Sequence, residues 1–441
     1  MPRNVRLLPL FLLLATALPL AGQSVPPAQT SAPLTITLQD AITRARANSP
    51  EFHAALTEMG VAQQEKVQAR SALLPSVNYD FEYLYTQPVA GHTADNAPRF
   101  IANNAVHEYI SLGNAHQELS LAELASYRRS VAMHEAARAR AEVARRGLVA
   151  TVVQTYYGLV VAQRHYATAQ EGASEAESFL KISRQLEHGG EVAHSDAIKA
   201  ELQYNDKMRD LREAQLGMER ARVQLALLLF PDFNQNFTVI DDMGLPESVP
   251  PLEEVTEQAR RNNPDLAAAL SALRAENFEV DAARAGYLPE IGLDYYYGVD
   301  STRLATHIDG LRNLGYSASA TLKLPVWNWG ATHSQVKQST LRRDQARLEL
   351  SYAQRKLLGQ LQTLYGEAQA SYAELELLRR SAELAAESLR LTTLRYQGGE
   401  ATVLEVVDAQ NSLIQAKDAF DQGEARCRTA LANLQTLTGT L

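Results

Sequence analysis

The sequence predicts a mainly α-helical protein that also contains a membrane β-barrel, built from a duplicated unit of a strand and long helices. A segment from Leu38 recurs without a gap from Leu252, and Pro50 of the first copy matches Pro264 of the second. A period of about half the chain is too long for a solenoid, which indicates a duplicated structural unit. Two long proline-free stretches and several segments of alternating polarity supply the other two observations. The predicted units are a first repeat at residues 35–230, a linker at residues 231–251 and a second repeat at residues 252–441.

The N-terminus has the pattern of a secretory signal peptide. Arg3 and Arg6 precede an apolar run over residues 7–20, and small residues follow that run. This order is typical of exported proteins, and the prolines within the run make it too short for a spanning helix. We expect cleavage of residues 1–22 and a flexible leader at residues 23–34.

Composition excludes several classes of protein. Gln23 stands where a bacterial lipoprotein carries its acylated cysteine, so we expect no lipid anchor. The chain has one cysteine, Cys427, and therefore no internal disulfide framework. A formal net charge of −9 and a sequence pI near 5.7 argue against a nucleic-acid partner, which would need a basic stripe.

The sequence also predicts that the protein is not an enzyme and needs no cofactor. It contains no P-loop, no GxGxxG after a strand, no HExxH and no GxSxG. His188 and His194 suggest a metal site, but no cysteine or third ligand lies near them in the sequence. Structural zinc sites use four such ligands, so we predict no metal at this position.

Proline placement predicts the helices. No proline occurs between Pro98 and Pro231 or after Pro325, and both stretches are rich in strong helix formers. Each stretch is predicted to hold one helix about 100 Å long, then a double glycine suited to positive φ, then a second helix. The predicted helices cover residues 122–186, 196–229, 329–396 and 403–437.

Alternating polarity predicts the strands. In each of three segments, apolar or aromatic residues alternate with mainly polar ones over about ten residues, which is the signature of transmembrane β-barrels. A soluble sheet with one wet face gives the same pattern, but the tyrosine density and the signal peptide favour a membrane. The segments are residues 76–85, 290–300 and 316–326, with a weaker fourth strand near residues 109–119.

Four strands cannot form a barrel alone. Backbone groups in lipid must be satisfied internally, so a sheet spans a membrane only when it closes, and barrels begin near eight strands. Two protomers would supply eight strands and three would supply twelve. The pattern of residues leaves both assemblies open.

Repeated motifs carry a resemblance to a known family. Both halves contain N-x-P-(E/D), at residues 48–51 and 262–265, and both have a Leu-Pro pair where a helix leads into a strand. The turn at residues 324–330 is LPVWNWG, and GGEVAHSDAIKA in the first half answers GGEATVLEVVDA in the second. With these motifs in this order twice, the chain resembles the TolC-like outer membrane efflux proteins.

The resemblance implies a function and an assembly. It implies a homotrimer with a 12-stranded barrel in the outer membrane, standing on a long periplasmic α-helical barrel. Such a trimer is the exit duct of a tripartite efflux or type I secretion system, and passively conducts substrates from an inner-membrane transporter through a periplasmic adaptor protein. The alternative is a periplasmic coiled-coil adaptor or scaffold without a membrane barrel, for which tyrosine-rich strands have no use.

The resemblance also implies a gate at the inner end of the duct. Glu405 and Asp408 fall on the acidic positions that line the constriction, although an acidic pair three residues apart is also typical of a solvated helix face. Asp196 and Tyr396 fall on two positions of a lock between the inner helices. The arginine of that lock is replaced by Ala401, so its salt bridge cannot form here.

Two further sets of residues fall on functional positions. Trp327 and Trp329 lie where barrel meets helix and suit an aromatic anchor at the lipid interface, although ordinary packing would explain them equally well. The double glycines lie at the turns where an adaptor is expected to dock, and plain helix capping is the alternative. These glycines are Gly189, Gly190, Gly398 and Gly399.

Overall fold

The computed structural model describes residues 34–86, 107–244 and 248–439. The predicted signal peptide, its cleavage site and Gln23 lie outside the described residues. Cleavage near residue 22 and the lack of a lipid anchor therefore remain predictions.

The described chain is a duplicated arrangement of short helices, paired strands and long helices. The first half contains β1 (Leu34–Ile36), α1 (Leu38–Asn48), α2 (Pro50–Ser71), β2 (Ser76–Tyr85), β3 (His107–Leu119), α3 (Leu121–His188), α4 (His194–Leu229) and β4 (Phe237–Val239). The second half contains α5 (Leu252–Asn262), α6 (Pro264–Ala285), β5 (Glu290–Ser301), β6 (His307–Ile308), β7 (Leu311–Arg312), β8 (Leu314–Lys323), α7 (Ala331–Gln397) and α8 (Val403–Thr438). The predicted duplication of a strand and long-helix unit is confirmed.

The two proline-free stretches each form one continuous helix, as predicted. Helix α3 has 68 residues and α7 has 67. The Ser120 side chain starts α3 by accepting a hydrogen bond of 3.1 Å from the backbone of Ala122. The predicted start of α7 at residue 329 is wrong by two residues, because Trp329 and Gly330 have φ values of 55° and 81° and cannot belong to a right-handed helix.

The four predicted strands form one antiparallel sheet in the order β2–β3–β5–β8. The prediction of a strand up to residue 326 is wrong at its end, because β8 stops at Lys323. Proline lacks the backbone N–H that a ladder requires, so Pro325 explains this early end. At the other end, β8 begins at Leu314, two residues earlier than predicted.

The register of the sheet explains why β3 was the weakest prediction. On the apolar face, Gly113 of β3 lies between Tyr79 of β2 and Tyr297 of β5. Its neighbours Ser111 and Ala115 on the same face are also small, and the Tyr79 hydroxyl lies 2.7 Å from Ser111 Oγ. Large residues on the two neighbouring strands, β2 and β5, thus lie beside small ones on β3, which removes the apolar alternation from β3 itself.

The apolar face of the sheet is open in the protomer, whereas the opposite face is polar. Val77, Tyr79 and Tyr316 are among its exposed large side chains. On the polar face, His116 Nδ1 of β3 lies 2.7 Å from Asp294 Oδ1 of β5. Within the described ranges, no helix combines the length and the apolar character needed to cross a membrane.

The helices pack side by side in a fixed lateral order. In the part next to the sheet, neighbouring helices follow the order α2–α3–α6–α7. Further from the sheet, where α2 and α6 are absent, the order is α4–α3–α8–α7. The long helices α3 and α7 take part in both rows. The protomer therefore has two lateral sides that no other part of the described chain covers. One side is formed by β2, α2 and α4, and the other by β8 and α7.

Candidate functional site

The far ends of the two long helices carry the same turn. At the end of α3, the Gly190 N–H donates to the carbonyl of Glu187 and the Glu191 N–H donates to the carbonyl of Leu186, both at 2.9 Å. This pair of bonds is the Schellman motif, which places its glycine in the left-handed region. Gly190 accordingly has a φ of 77°.

The end of α7 repeats this geometry. Gly399 donates to the carbonyl of Tyr396 at 3.0 Å, and Glu400 donates to the carbonyl of Arg395 at 2.8 Å. Gly399 has a φ of 76°. The predicted positive φ is thus confirmed at the second glycine of each pair, while Gly189 and Gly398 have φ values of −73° and −83° that any residue adopts.

Glu405 is held by the first turn of α8. Its carboxylate accepts a bond of 3.1 Å from the Thr402 N–H, while the Thr402 hydroxyl accepts a bond of 3.4 Å from the Glu405 N–H. This reciprocal arrangement is a capping box. The Thr402 N–H, the Thr402 hydroxyl and the Arg395 guanidinium, 3.4 Å away, hold the pKa of Glu405 below its usual value. Asp408 lies one turn further along α8 and is exposed, as is Glu405.

Tyr396 lies inside a hydrophobic cluster close to the two turns, called the inner cluster below, which also contains Phe179 and Val406. It is 3% exposed, its hydroxyl lies 3.1 Å from Ser183 Oγ of α3, and its ring lies 5.0 Å from that of Phe179. Ala401 packs against the same cluster, where a long charged side chain would have to leave the apolar surroundings. Tyr396 therefore ties the end of α7 to α3 within one protomer.

The structure does not bring the two predicted lock residues together in the protomer. Asp196 pairs with Lys199 of its own helix at 3.1 Å, while Tyr396 bonds to Ser183. Ser183 was missed by sequence reasoning, although a serine on the apolar face of a long helix is a signal for a buried hydrogen bond.

Of the two histidines near the first turn, His194 pairs with a glutamate of the neighbouring helix. His194 Nδ1 lies 2.5 Å from Glu187 Oε1, across the turn between α3 and α4. Among the residues that the structure describes, no group of three or more His, Cys, Asp or Glu side chains is placed to hold a metal ion.

The two tryptophans lie in the turn between β8 and α7. Their rings contact each other edge to face at 5.8 Å, and their exposed fractions are 75% for Trp327 and 89% for Trp329. A bulky residue at positive φ is strained, so the conformation of Trp329 costs roughly 1–2 kcal/mol.

Comparison with known proteins decides the family. The family model described as outer membrane efflux protein matches residues 41–229 and 255–440. The chain belongs to the outer membrane efflux protein family. It is 24% identical to the alkaline protease secretion protein AprF of Pseudomonas aeruginosa, over 89% of this chain and 82% of AprF. It is 23% identical to the outer membrane protein TolC of Vibrio cholerae, over 92% of this chain and 91% of TolC.

Solved structures share the fold of this chain. The outer membrane channel CmeC of Campylobacter jejuni superposes with a TM-score of 0.79 at 21% identity, over 91% of this chain and 85% of that one. Membership of the outer membrane efflux protein family confirms the predicted resemblance, the outer membrane location and the function as an outer membrane exit duct. Membership of this family excludes the alternative of a periplasmic adaptor or scaffold.

Proposed function

We propose that this outer membrane efflux protein works as a closed trimer that passively conducts substrates, without catalysis, between a periplasmic adaptor with its inner-membrane transporter and the exterior. The observation that carries this proposal is the difference between the two open sides of the protomer. One side exposes β2, α2 and α4, and the other exposes β8 and α7. Unlike sides pack head to tail and generate a ring when the rotation closes, and three protomers would supply twelve strands.

Exposed apolar residues on both sides support this assembly. On α7, Leu377, Leu384 and Leu391 are exposed and recur every seven residues. On α4, Leu202 and Leu216 are exposed on the face that points away from α3. A seven-residue apolar repeat is the pattern of coiled-coil seams, so α7 of one protomer suits α4 of the next.

Cysteine crosslinking tests the trimer. Leu391 lies six residues before the end of α7, and Leu202 lies eight residues after the start of α4. Both are therefore about 9–12 Å from the glycine turns that follow α3 and α7, called the inner turns below. We expect oxidation of the Leu391→Cys, Leu202→Cys double variant to give a covalent trimer and nothing larger. Native Cys427 is buried, so either single variant alone should give at most a crosslinked pair. A ladder that ends at two protomers in the double variant would contradict the trimer.

We also propose that the inner turns form the gate and the docking site. In a ring of three, Glu405 and Asp408 would form two acidic rings, and the adaptor would contact the turns at Gly190 and Gly399. The support is positional, because both turns and both carboxylates lie at the same end of the helices and are exposed. Both efflux and type I secretion are consistent with this site.

A further inference from the structure

The linker between the two repeats is pinned to the long helices over five residues, 240–244. The Tyr156 hydroxyl of α3 donates to the carbonyl of Ile240 at 2.7 Å. The Arg428 guanidinium of α8 donates to the carbonyls of Asp242 and Gly244, at 3.3 and 2.8 Å. The side chain of Met243 is buried in a second hydrophobic cluster, called the mid-helix cluster below, which also contains Val152 and Tyr156 of α3. This segment therefore lies across α3 and α8 and contacts both.

Arg164 of α3 joins this segment to both helices with one side chain. Its guanidinium donates two bonds to Asp241 of the linker, at 2.6 and 2.7 Å. It also donates to Asp421 and Glu424 of α8, at 2.9 and 2.6 Å. The first repeat, the linker and the second repeat thus meet at one guanidinium.

The guanidinium of Arg164 stabilises the charged form of the carboxylates around it. Burial raises the pKa values of Asp421 and Glu424, and the guanidinium of Arg164 acts in the opposite direction. Removal of the guanidinium would leave three carboxylates, those two and Asp241, facing one another in a partly buried site. Loss of one partner from such a group is strongly destabilising, because the remaining charges are uncompensated.

Arg164 also lies at the point where the packing changes along the interface between α3 and α8, called the seam. On the side of Arg164 that faces the sheet, α3 contributes buried residues from Val149 to Val160 to the mid-helix cluster. On the side of the inner turns, the next links are exposed single pairs, such as Lys417 with Glu171 at 2.7 Å. Between Arg164 and Phe179, α3 buries only small side chains such as Ala169 and Ala173, and Gly172 packs closely against Ile414 of α8. Large apolar side chains return to the seam at Phe179, in the inner cluster.

We propose that Arg164 is the positioning residue at which separation of the two helical hairpins stops, with residues 240–244 acting as a strap that holds α3 to α8. The hairpins α3–α4 and α7–α8 can then part from the inner turns up to this point, while the seam beside the sheet stays closed. This inference rests on the proposed gate for its use, but the strap itself is a property of one protomer.

Hydrogen exchange on the full-length protein in detergent tests the strap. We expect Arg164→Met to accelerate amide exchange about tenfold at residues 161–170, 240–244 and 415–428, and to leave residues 149–157 within about twofold of the wild type. Lys417→Met, which removes an exposed link of the same seam, is the matched control and should change exchange only beside residues 171 and 417. Acceleration confined to residues 240–244 would overturn the proposal, as would equal acceleration along all helices.

Two further measurements keep the test decisive. If Arg164→Met does not fold, Asp241→Asn should give the same pattern at about threefold, and unchanged helices in that variant would overturn the proposal. In a planar bilayer, Arg164→Met should lengthen open dwell times, whereas Lys417→Met should leave them unchanged. The protein could show the expected exchange pattern and yet neither form a closed trimer nor conduct ions. That result would support the strap and contradict the proposed gate.

Discussion

The side-chain amide of Asn48, the last residue of α1, donates a hydrogen bond of 2.7 Å to the carbonyl oxygen of Leu229, the last residue of α4. The second repeat contains the same relationship, in which Asn262 donates to the carbonyl of Thr438 at 3.2 Å. The asparagine of the N-x-P motif therefore closes the end of the returning helix in its own half. It satisfies a carbonyl that has no partner within that helix.

Asn48→Ala should lower the free energy of unfolding by about 1–2 kcal/mol, because it leaves a partly buried carbonyl without its donor. Asn262→Ala should cost less, since its bond is longer. Asn205 is exposed on α4 and provides the matched control, whose alanine variant should be neutral. Denaturant unfolding monitored by circular dichroism measures all three, and equal effects at Asn48 and Asn205 would contradict the role of the bond.

The turns allow a comparison between adjacent glycines. Gly190→Ala and Gly399→Ala should each destabilise the inner end by roughly 1 kcal/mol, because a side chain at positive φ is strained. Gly189→Ala and Gly398→Ala should be nearly neutral, since their φ values are negative and an added Cβ at either position meets nothing closer than 3.5 Å. Local hydrogen exchange around each turn distinguishes the two pairs.

Charge at the gate is best tested without disturbing the helix start. Glu405→Gln with Asp408→Asn removes both charges, and glutamine preserves the capping box with Thr402, which alanine would break. We expect weaker cation selectivity in a planar bilayer and loss of block by divalent cations, because carboxylates suit such ions. If selectivity and block both persist, these residues belong to a solvated helix face.

Because of Glu142, the free energy of unfolding is expected to fall as the solution becomes acidic. Hydrogen bonds from Arg145 and Arg146 lower the pKa of Glu142 from 4.5 to about 2. A carboxylate with a depressed pKa contributes stability above its unfolded value, and this contribution disappears as pH falls from about 4.5 towards 2. Since the side chain is one third exposed, we expect about 1–2 kcal/mol between wild type and Glu142→Gln at pH 7, and a much smaller difference at pH 2.5.

Trp327 and Trp329 are the only tryptophans of the chain, so native fluorescence reports on the turn between β8 and α7. If they anchor the protein at the lipid interface, brominated lipids should quench most of the emission and aqueous acrylamide should quench little. Trp327→Phe and Trp329→Phe assign the signal to each ring. Strong acrylamide quenching with no effect of brominated lipid would show that neither ring reaches the membrane.

The features predicted well from the sequence are those with a local cause. Proline-free stretches gave α3 and α7, glycine pairs gave the turns, and alternation gave three strands. The contacts of Arg164 with Asp241 and Glu424 join residues 77 and 260 positions apart, and no local pattern marks them. Strand β3 shows the same limit, because the tyrosines beside Gly113 belong to other strands.

The two inner turns share the residues Gly-Gly-Glu and the same backbone hydrogen bonds, but the residues that follow them differ. A ring of three protomers would therefore present six turns of one backbone geometry in two alternating chemical kinds. A partner that recognises only the backbone could occupy six equivalent positions, whereas one that recognises His194 or Glu405 could occupy three. The stoichiometry of docking would then depend on which part of the turn the partner contacts.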